Sequence, residues 1–247
     1  MAHANFATKP TRAVIFDVDG TLITDTVHHE KHNFVIGQRL RRPDLLLTTE
    51  EWQRIRGLSD ENAYDYIAGK AMRVGLDLGA SLPRARYLAA ADDYVNAHTD
   101  DIHVRDGVRE VLCAAEQLGL VLGIATNASW SETERKLSIT ELAKYFQFFS
   151  CLDGSVAPKP APDLYARGIR LVRDIVRATM APEQVIAIED TYIGAAAALS
   201  AGCRVIVWPC DGRDVPIDNA AHDSRAVLTA NSTYDSIQYI QSSCGSI

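Results

Sequence analysis

Short apolar runs alternate along the chain with longer segments in which apolar residues recur at helical spacing. Apolar runs of this length, bounded by polar residues, are typical of buried parallel strands. The predicted strands are Ala13–Phe16, Leu120–Ala125, Gln147–Cys151, Val185–Ile188 and Arg204–Trp208. The predicted helices are Val108–Leu118, Ser131–Tyr145, Pro162–Ala178, Tyr192–Ala201 and Ser232–Gln241. Strands that alternate with helices predict a doubly wound, Rossmann-like α/β fold around a parallel sheet.

One long interval interrupts this alternation. Between Thr26 and Arg105 no segment has the pattern of a strand, and helical spacing dominates, as in Glu61–Val74 and Pro83–Ala97. A crossover between parallel strands needs only about a dozen residues including its helix, so this interval is too long to be one. The predicted domains are an α/β core over 1–26 and 104–247 and an inserted helical domain over 27–103.

Composition and charge narrow the classes of function. Hydrophobic residues make up 47% of the 247 residues, which is enough for a sizeable core and argues against disorder. The formal net charge of −7 argues against a nucleic-acid partner, because such a surface needs a basic stripe. A local pocket can still bind a small anion. No apolar run approaches the roughly 20 residues of a membrane-spanning helix, so no membrane partner is expected.

The cysteines bear on the cellular compartment. There are five, an odd number, and their spacing is not that of a metal site. Unpaired, reduced thiols are typical of the cytoplasm, so we expect a cytoplasmic protein. The sequence does not distinguish a monomer from a homodimer.

Polar residues with the chemistry of an active site follow several of the predicted strands. Ligands of open α/β sheets bind at the carboxyl ends of the strands, so we expect these residues to share one edge of the sheet. The intervals from Thr126 to Lys159 and from Lys159 to Asp190 are each about one strand–helix–strand unit long. The candidate residues are Asp17, Asp19, Gly20, Thr126, Asn127, Lys159, Glu189 and Asp190.

This set combines acidic groups with one lysine. Two acids as close as Asp17 and Asp19 repel each other unless a cation or a proton lies between them. Mg²⁺ prefers a few carboxylates together with the oxygens of a substrate phosphate. Phosphoryl transfer depends on neutralising charge and on positioning, so this set favours a Mg²⁺ cofactor and a small phosphorylated metabolite as substrate.

The motifs that carry these residues resemble those of the haloacid dehalogenase superfamily. They read DVDGT, ATN, KPAPD and IEDTYIGAAAALSAG, and together they span nearly the whole chain. Their forms are most similar to the β-phosphoglucomutase and phosphoglycolate phosphatase-like branch. In that branch a helical cap domain follows the first motif, where this chain has 27–103.

The resemblance implies a role for each matching residue in catalysis. Asp17 is the expected nucleophile, which would form an aspartyl-phosphate, and Asp19 is the expected general acid and base. Thr126 and Asn127, with nearby backbone, would bind the phosphoryl oxygens. Lys159 would neutralise the charge of the nucleophile and the phosphate.

The resemblance also implies a metal site. Asp17, the backbone carbonyl of Asp19, and Asp190 would ligate Mg²⁺, and Glu189 would assist them. Gly20 would permit the turn after the first strand and the close approach of its backbone to the phosphate. The expected activity is a Mg²⁺-dependent phosphatase that acts on small phosphorylated metabolites.

Other interpretations of these residues stay open. Thr126 and Asn127 could cap an ordinary helix. The i, i+4 spacing of His28 and His32 is compatible with a metal site, but no third ligand is evident, and solvated helix residues are favoured.

Two other functions are compatible with the same motifs. A sugar phosphomutase shares the first half-reaction. Mutases of this branch carry an arginine for the second phosphate, where this chain has Asp60, whose charge would repel that phosphate. A non-catalytic binding protein on the same fold is the third possibility.

Overall fold

The computed structural model describes residues 9–24, 26–210 and 227–244, apart from the side chains of residues 26, 28 and 29. The chain divides into two compact units, one comprising 1–24 and 104–247 and the other 25–103. No helix among these described residues is long and apolar enough to cross a membrane.

The first unit is built on a parallel sheet. Its strands are β1 Ala13–Phe16, β2 Val121–Thr126, β3 Phe148–Cys151, β4 Val185–Glu189, β5 Arg204–Val207 and β6 Val227–Thr229. Their order across the sheet is β3-β2-β1-β4-β5-β6, and every neighbouring pair is parallel. This is the strand order of a Rossmann-type sheet, so the predicted fold class is confirmed.

Alternate side chains of the strands enter opposite faces of the sheet. Ala13 and Ile15 of β1 join a core cluster with side chains of the helices Asp163–Val176 (α8) and Tyr192–Ser200 (α9). Val14 and Phe16 point to the other face and are also buried. A strand buried on both faces must be apolar at every position, which explains the continuous runs in the sequence.

The other helices of this unit are α6 Val108–Gln117, α7 Trp130–Ile139 and α10 Thr233–Ser243, and short 3₁₀ helices lie at Ala143–Tyr145 and Pro182–Gln184. The prediction of one helix over Ser131–Tyr145 was wrong. Glu141 has a φ of 57°, and the amide of Leu142 donates to the carbonyl of Leu137, so the helix ends at Ile139 and not at Tyr145.

The second unit is helical. Its elements are α1 Thr26–Leu40, α2 Thr49–Ile55, α3 Asp60–Arg73, α4 Leu78–Ser81 and α5 Arg84–Ala97, with 3₁₀ helices at Pro43–Leu45 and Thr99–Asp101. They enclose their own apolar core, in which Ile36, Ile67 and Tyr87 are fully buried.

The interpretation of His32 as a solvated residue was wrong. His32 is buried, and its Nδ1 lies 2.5 Å from the hydroxyl of Tyr87. The side chain of His28 lies outside the described residues. The hypothesis that His28 and His32 form a pair of metal ligands therefore stays untested.

Candidate active site

The loop after β1 begins the site. Asp17 follows β1 directly, and its amide donates to the carbonyl of Ile188 in the neighbouring β4 at 3.0 Å. Gly20 then takes a φ of 85°, in the left-handed region that favours glycine. Its amide donates to the carbonyl of Ile23 at 2.9 Å, which closes a tight turn. Because β1 lies between β2 and β4, Asp17 is at the centre of the sheet's carboxyl edge.

Arg105 fixes this turn from a distant part of the chain and was not foreseen from the sequence. Its Nη1 donates to the carbonyls of Gly20 at 2.9 Å and Trp208 at 2.7 Å, and its Nη2 donates to that of Pro209 at 2.6 Å. Its guanidinium group also stacks over the Trp208 ring, 4.2 Å from the centroid. The turn after β1 is thereby tied to the segment after β5.

Lys159 is the buried cation of the site. Its Nζ donates to Oδ1 of Asp17 and to Oε1 of Glu189, both at 2.6 Å, and its side chain is 2% exposed. Burial alone would lower the pKa of Lys159, but the two carboxylates raise it above its ordinary value. Lys159 is therefore charged and links the end of β1 to the end of β4.

Asn127 holds the backbone of Lys159. Its Oδ1 accepts from the Lys159 amide at 2.8 Å, and its Nδ2 donates to the Lys159 carbonyl at 3.4 Å. This double contact positions the loop that carries the cation. The prediction that Asn127 binds phosphate stays a prediction.

Thr126 is buried at the end of β2, where its Oγ1 accepts from the amide of Ala128 at 3.1 Å. The helix that follows begins at Trp130 and is capped by Ser129, whose Oγ accepts from the amide of Glu132. The interpretation of Thr126 and Asn127 as the cap of this helix was therefore wrong.

Three carboxylates meet at this edge. Asp17, Glu189 and Asp190 are all buried, and each offers an oxygen within 4.8 Å of the others. Burial raises the pKa of Asp17 and of Glu189 above the ordinary values, although Lys159 opposes the shift in both. The acidic groups outnumber the one buried lysine, and a divalent cation bound among them would favour their charged forms. An all-oxygen donor set of this kind fits Mg²⁺.

Asp190 is held by the loop after β1. Its Oδ1 accepts from Oγ1 of Thr21 at 3.2 Å, and Thr191 next to it caps α9 by accepting from the amide of Gly194. The carboxylate is therefore oriented from both β1 and β4, the two strands that also carry Asp17 and Glu189.

Glu189 is held on several sides. Besides Lys159, the hydroxyl of Tyr165 donates to its Oε1 at 2.5 Å, a contact that was missed although Tyr165 lies just after the KPAPD motif. A methyl group added at Gly194 would lie only 2.0 Å from Oε2 of Glu189. The glycine therefore leaves room for this carboxylate against the first turn of α9.

Gly194→Ala is expected to displace Glu189 and, with it, the ammonium group of Lys159. A shift of about 1 Å in a catalytic group can lower the rate about a hundredfold, so we expect kcat to fall by that order. Gly69→Ala is the matched control, because no atom lies within 4 Å of a methyl group added there in α3. Steady-state kinetics of both variants test this, and wild-type kcat for Gly194→Ala would contradict it.

Asp19 is held by a lysine that the sequence analysis missed. Nζ of Lys136, on α7, lies 2.8 Å and 2.9 Å from the two carboxylate oxygens of Asp19. The only sequence signal was the spacing of Lys136 from Glu132, which is typical of an ordinary ion pair on a helix surface.

Comparison with known proteins identifies what the chain resembles. The family model of haloacid dehalogenase-like hydrolases matches residues 11–202, which include every predicted site residue. A phosphorylated carbohydrates phosphatase of Thermotoga maritima is 26% identical over 219 residues, covering 88% of this chain and 90% of that protein.

Solved structures show the same similarity. The structure of CbbY from Rhodobacter sphaeroides in complex with xylulose-(1,5)bisphosphate has a TM-score of 0.67 and 25% identity, covering 88% of this chain and 93% of that one. The β-phosphoglucomutase structure from Clostridium difficile has a TM-score of 0.70 with 19% identity, over 94% and 96% of the two chains, and so shares the fold.

Proposed function

Because this chain belongs to the haloacid dehalogenase-like hydrolases and is a phosphoric monoester hydrolase, we propose that it releases inorganic phosphate from small phosphorylated metabolites. In this proposal the reaction needs Mg²⁺ as a cofactor and passes through an aspartyl-phosphate intermediate. The predicted resemblance to this superfamily, in its β-phosphoglucomutase and phosphatase branch, is confirmed. The proposal for the substrate draws on relatives named as a hexitol phosphatase and a phosphorylated carbohydrates phosphatase.

The observation that carries the proposal is the ion cluster around Lys159. One buried ammonium group bridges Asp17 and Glu189, and Asp190 completes the three carboxylates. A site with a nucleophilic carboxylate, a fixed cation and donors for a divalent metal suits phosphoryl transfer, which depends on positioning and charge neutralisation. A binding protein would have no need for these charges to be buried together.

The chemistry takes place in two steps. A carboxylate oxygen of Asp17 attacks phosphorus, the bond to the leaving oxygen breaks, and Asp19 gives that oxygen a proton. A water molecule then attacks the phosphorus, Asp19 takes its proton, and the bond to Asp17 breaks to release phosphate. Lys159 balances the charge of Asp17 throughout.

Mg²⁺ would be held by Asp17, the carbonyl of Asp19 and Asp190. When bound, it would neutralise the phosphate oxygens and the excess charge of the carboxylates. Glu189 is engaged by Lys159 and Tyr165 through Oε1, so its proposed contribution is to hold the lysine and to assist the metal indirectly.

Asp190→Asn is expected to weaken Mg²⁺ binding, since an amide offers a neutral oxygen in place of a charged one. Even the outer partners of metal ligands contribute about 10- to 100-fold to affinity, so we expect the half-saturating Mg²⁺ concentration to rise at least about tenfold. Asp174→Asn is the control, because Asp174 is exposed on α8. Titration of phosphate release with Mg²⁺ measures both, and an unchanged midpoint for Asp190→Asn would contradict its role as a ligand.

Asp60 is the residue that was expected to exclude a mutase. In the helical unit, Nζ of the buried Lys31 lies 2.7 Å and 2.9 Å from the two oxygens of Asp60. Lys31 therefore balances the charge that was expected to repel a second phosphate, and that argument against a mutase loses most of its force. The preference for a phosphatase now rests on the relatives named as phosphatases.

We expect wild-type enzyme to release inorganic phosphate from hexose monophosphates without isomerising them. Phosphorus NMR of a reaction with β-glucose 1-phosphate, Mg²⁺ and a bisphosphate primer follows both outcomes in one tube. A chelator should stop phosphate release. Faster formation of glucose 6-phosphate than of free phosphate would favour the mutase.

A screen of phosphate release over sugar phosphates and phosphoglycolate identifies the preferred substrate. None of the five cysteines, all of which lie in the described part of the chain, forms a disulfide, which fits the proposed cytoplasmic location.

A further inference from the structure

Lys136 is a fully buried lysine at the edge of the active site. It lies on α7, its side chain is 0% exposed, and its Nζ donates to both carboxylate oxygens of Asp19 at 2.8 Å and 2.9 Å. It also donates to Oε1 of Glu132, one turn earlier on the same helix, at 2.5 Å. The lysine thus joins Asp19, after β1, to a helix far along the chain, since Lys136 is 117 residues from Asp19.

Burial of this ammonium group requires its partners. A buried charge is strongly unfavourable unless it is paired and hydrogen-bonded. Burial lowers the pKa of Lys136, but Asp19 and Glu132 raise it above the ordinary value, so the lysine is charged. Glu132 anchors the ammonium group from within α7, which leaves its other hydrogen bonds for Asp19.

Lys136 is shielded from any substrate by this burial, whereas the side chain of Asp19 is 22% exposed. The exposed part of Asp19 is what a leaving group or a water molecule can reach. The lysine approaches the same carboxylate from the protein interior. Its two bonds to one carboxylate restrict the rotation of the Asp19 side chain.

We propose that Lys136 is a positioning residue, which holds the carboxylate of Asp19 in the orientation that proton transfer requires. The inference rests on the proposed function, because it assumes that Asp19 carries the proton. General acid catalysis depends on the donor lying within hydrogen-bond reach of the leaving oxygen, so a freely rotating Asp19 is a poorer catalyst. Glu132 supports the lysine in this scheme.

The test uses two aryl phosphates of similar size that differ in their need for a proton. Phenol is a poor leaving group and needs protonation, whereas 4-nitrophenol leaves readily without it. With Lys136→Met, kcat/KM for phenyl phosphate should fall about 10- to 100-fold, as for other lost orienting partners. The loss for 4-nitrophenyl phosphate should be several times smaller. The inhibition constant of inorganic phosphate should stay the same, since phosphate binding does not involve Lys136.

A double-mutant cycle shows whether Lys136 acts through Asp19. In an Asp19→Asn background, Lys136→Met should change kcat/KM for phenyl phosphate by less than about threefold, because the two residues act as one unit. If Lys136→Met alone does not fold, Glu132→Gln/Lys136→Met replaces it, because that variant leaves no unpaired acid on α7. Glu134→Gln, the same chemical change at an exposed position of α7, is the control and should retain full activity.

Equal losses for the two substrates, additive losses in the cycle, or full activity of the lysine variant would each overturn the inference. These outcomes leave the proposed function intact as long as wild-type enzyme releases phosphate. A wild-type enzyme with no Mg²⁺-dependent release from either aryl phosphate would contradict the proposed function, and this inference with it.

Discussion

Asp17→Asn is expected to abolish turnover and to leave the fold intact. An amide is a very poor nucleophile, so the first bond to phosphorus cannot form, and kcat should fall at least about a thousandfold. The asparagine has nearly the same shape, and its side-chain oxygen can still accept from Lys159, which keeps its bond to Glu189. Phosphate release from 4-nitrophenyl phosphate measures the loss, and thermal unfolding checks the fold.

Asp174→Asn, the same chemical change on the exposed face of α8, is the control and should leave the kinetics unchanged. Residual activity of Asp17→Asn above a few per cent of wild type would show that Asp17 is not the nucleophile. Loss of activity together with loss of the folded state would be assigned to folding instead, and the thermal measurement separates these outcomes.

Lys159→Met is expected to lower both activity and stability. It leaves two buried carboxylates, Asp17 and Glu189, without the ammonium group that bridges them at 2.6 Å. Removal of one partner from a buried ion pair costs about 3 to 5 kcal/mol of the free energy of unfolding. Urea unfolding measures this free energy, and phosphate release measures the activity, which should be lost.

The stability deficit of Lys159→Met should depend on pH. Burial raises the pKa of both carboxyl groups in the folded protein, so at acid pH they can be protonated and neutral. The deficit should therefore be smallest at acid pH and grow as pH rises above the ordinary range of carboxyl groups. Lys144→Met, at an exposed position, is the control. A deficit that is absent at neutral pH would contradict the account of this cluster.

The fold was largely predictable because buried strands have an unmistakable pattern. Ala13–Phe16 is apolar at every position and is the same in the prediction and the structure, since both of its faces are covered. The strand Val227–Thr229 was missed because it is short, lies at the edge of the sheet and is only partly buried. A periodic pattern also could not reveal that Glu141 turns the chain after α7.

The site residues that directly follow strands could be predicted from the sequence. The contacts that depend on how helices pack against the sheet could not. Asp17 and Asp190 follow adjacent strands, and the topology of a parallel sheet brings such residues to one edge. Lys136 is 117 residues from Asp19 in sequence, so local spacing gave no sign of their contact. The same holds for Lys31 and Asp60, which are 29 residues apart. The sequence analysis considered the charge of Asp60 by itself, whereas in the structure Lys31 pairs with it.

The central claim is that phosphate passes through Asp17. The Asp19→Asn variant is suited to trap this state, because it lacks the base that activates water for the second step, whereas 4-nitrophenol leaves without a proton in the first. The variant is mixed with 4-nitrophenyl phosphate and Mg²⁺, quenched, digested and analysed by mass spectrometry. We predict one phosphoryl group on the peptide that contains Asp17, removable by hydroxylamine as expected for an acyl phosphate. A burst of 4-nitrophenol with no phosphoryl group on Asp17, or with the group on another residue, would contradict the claim.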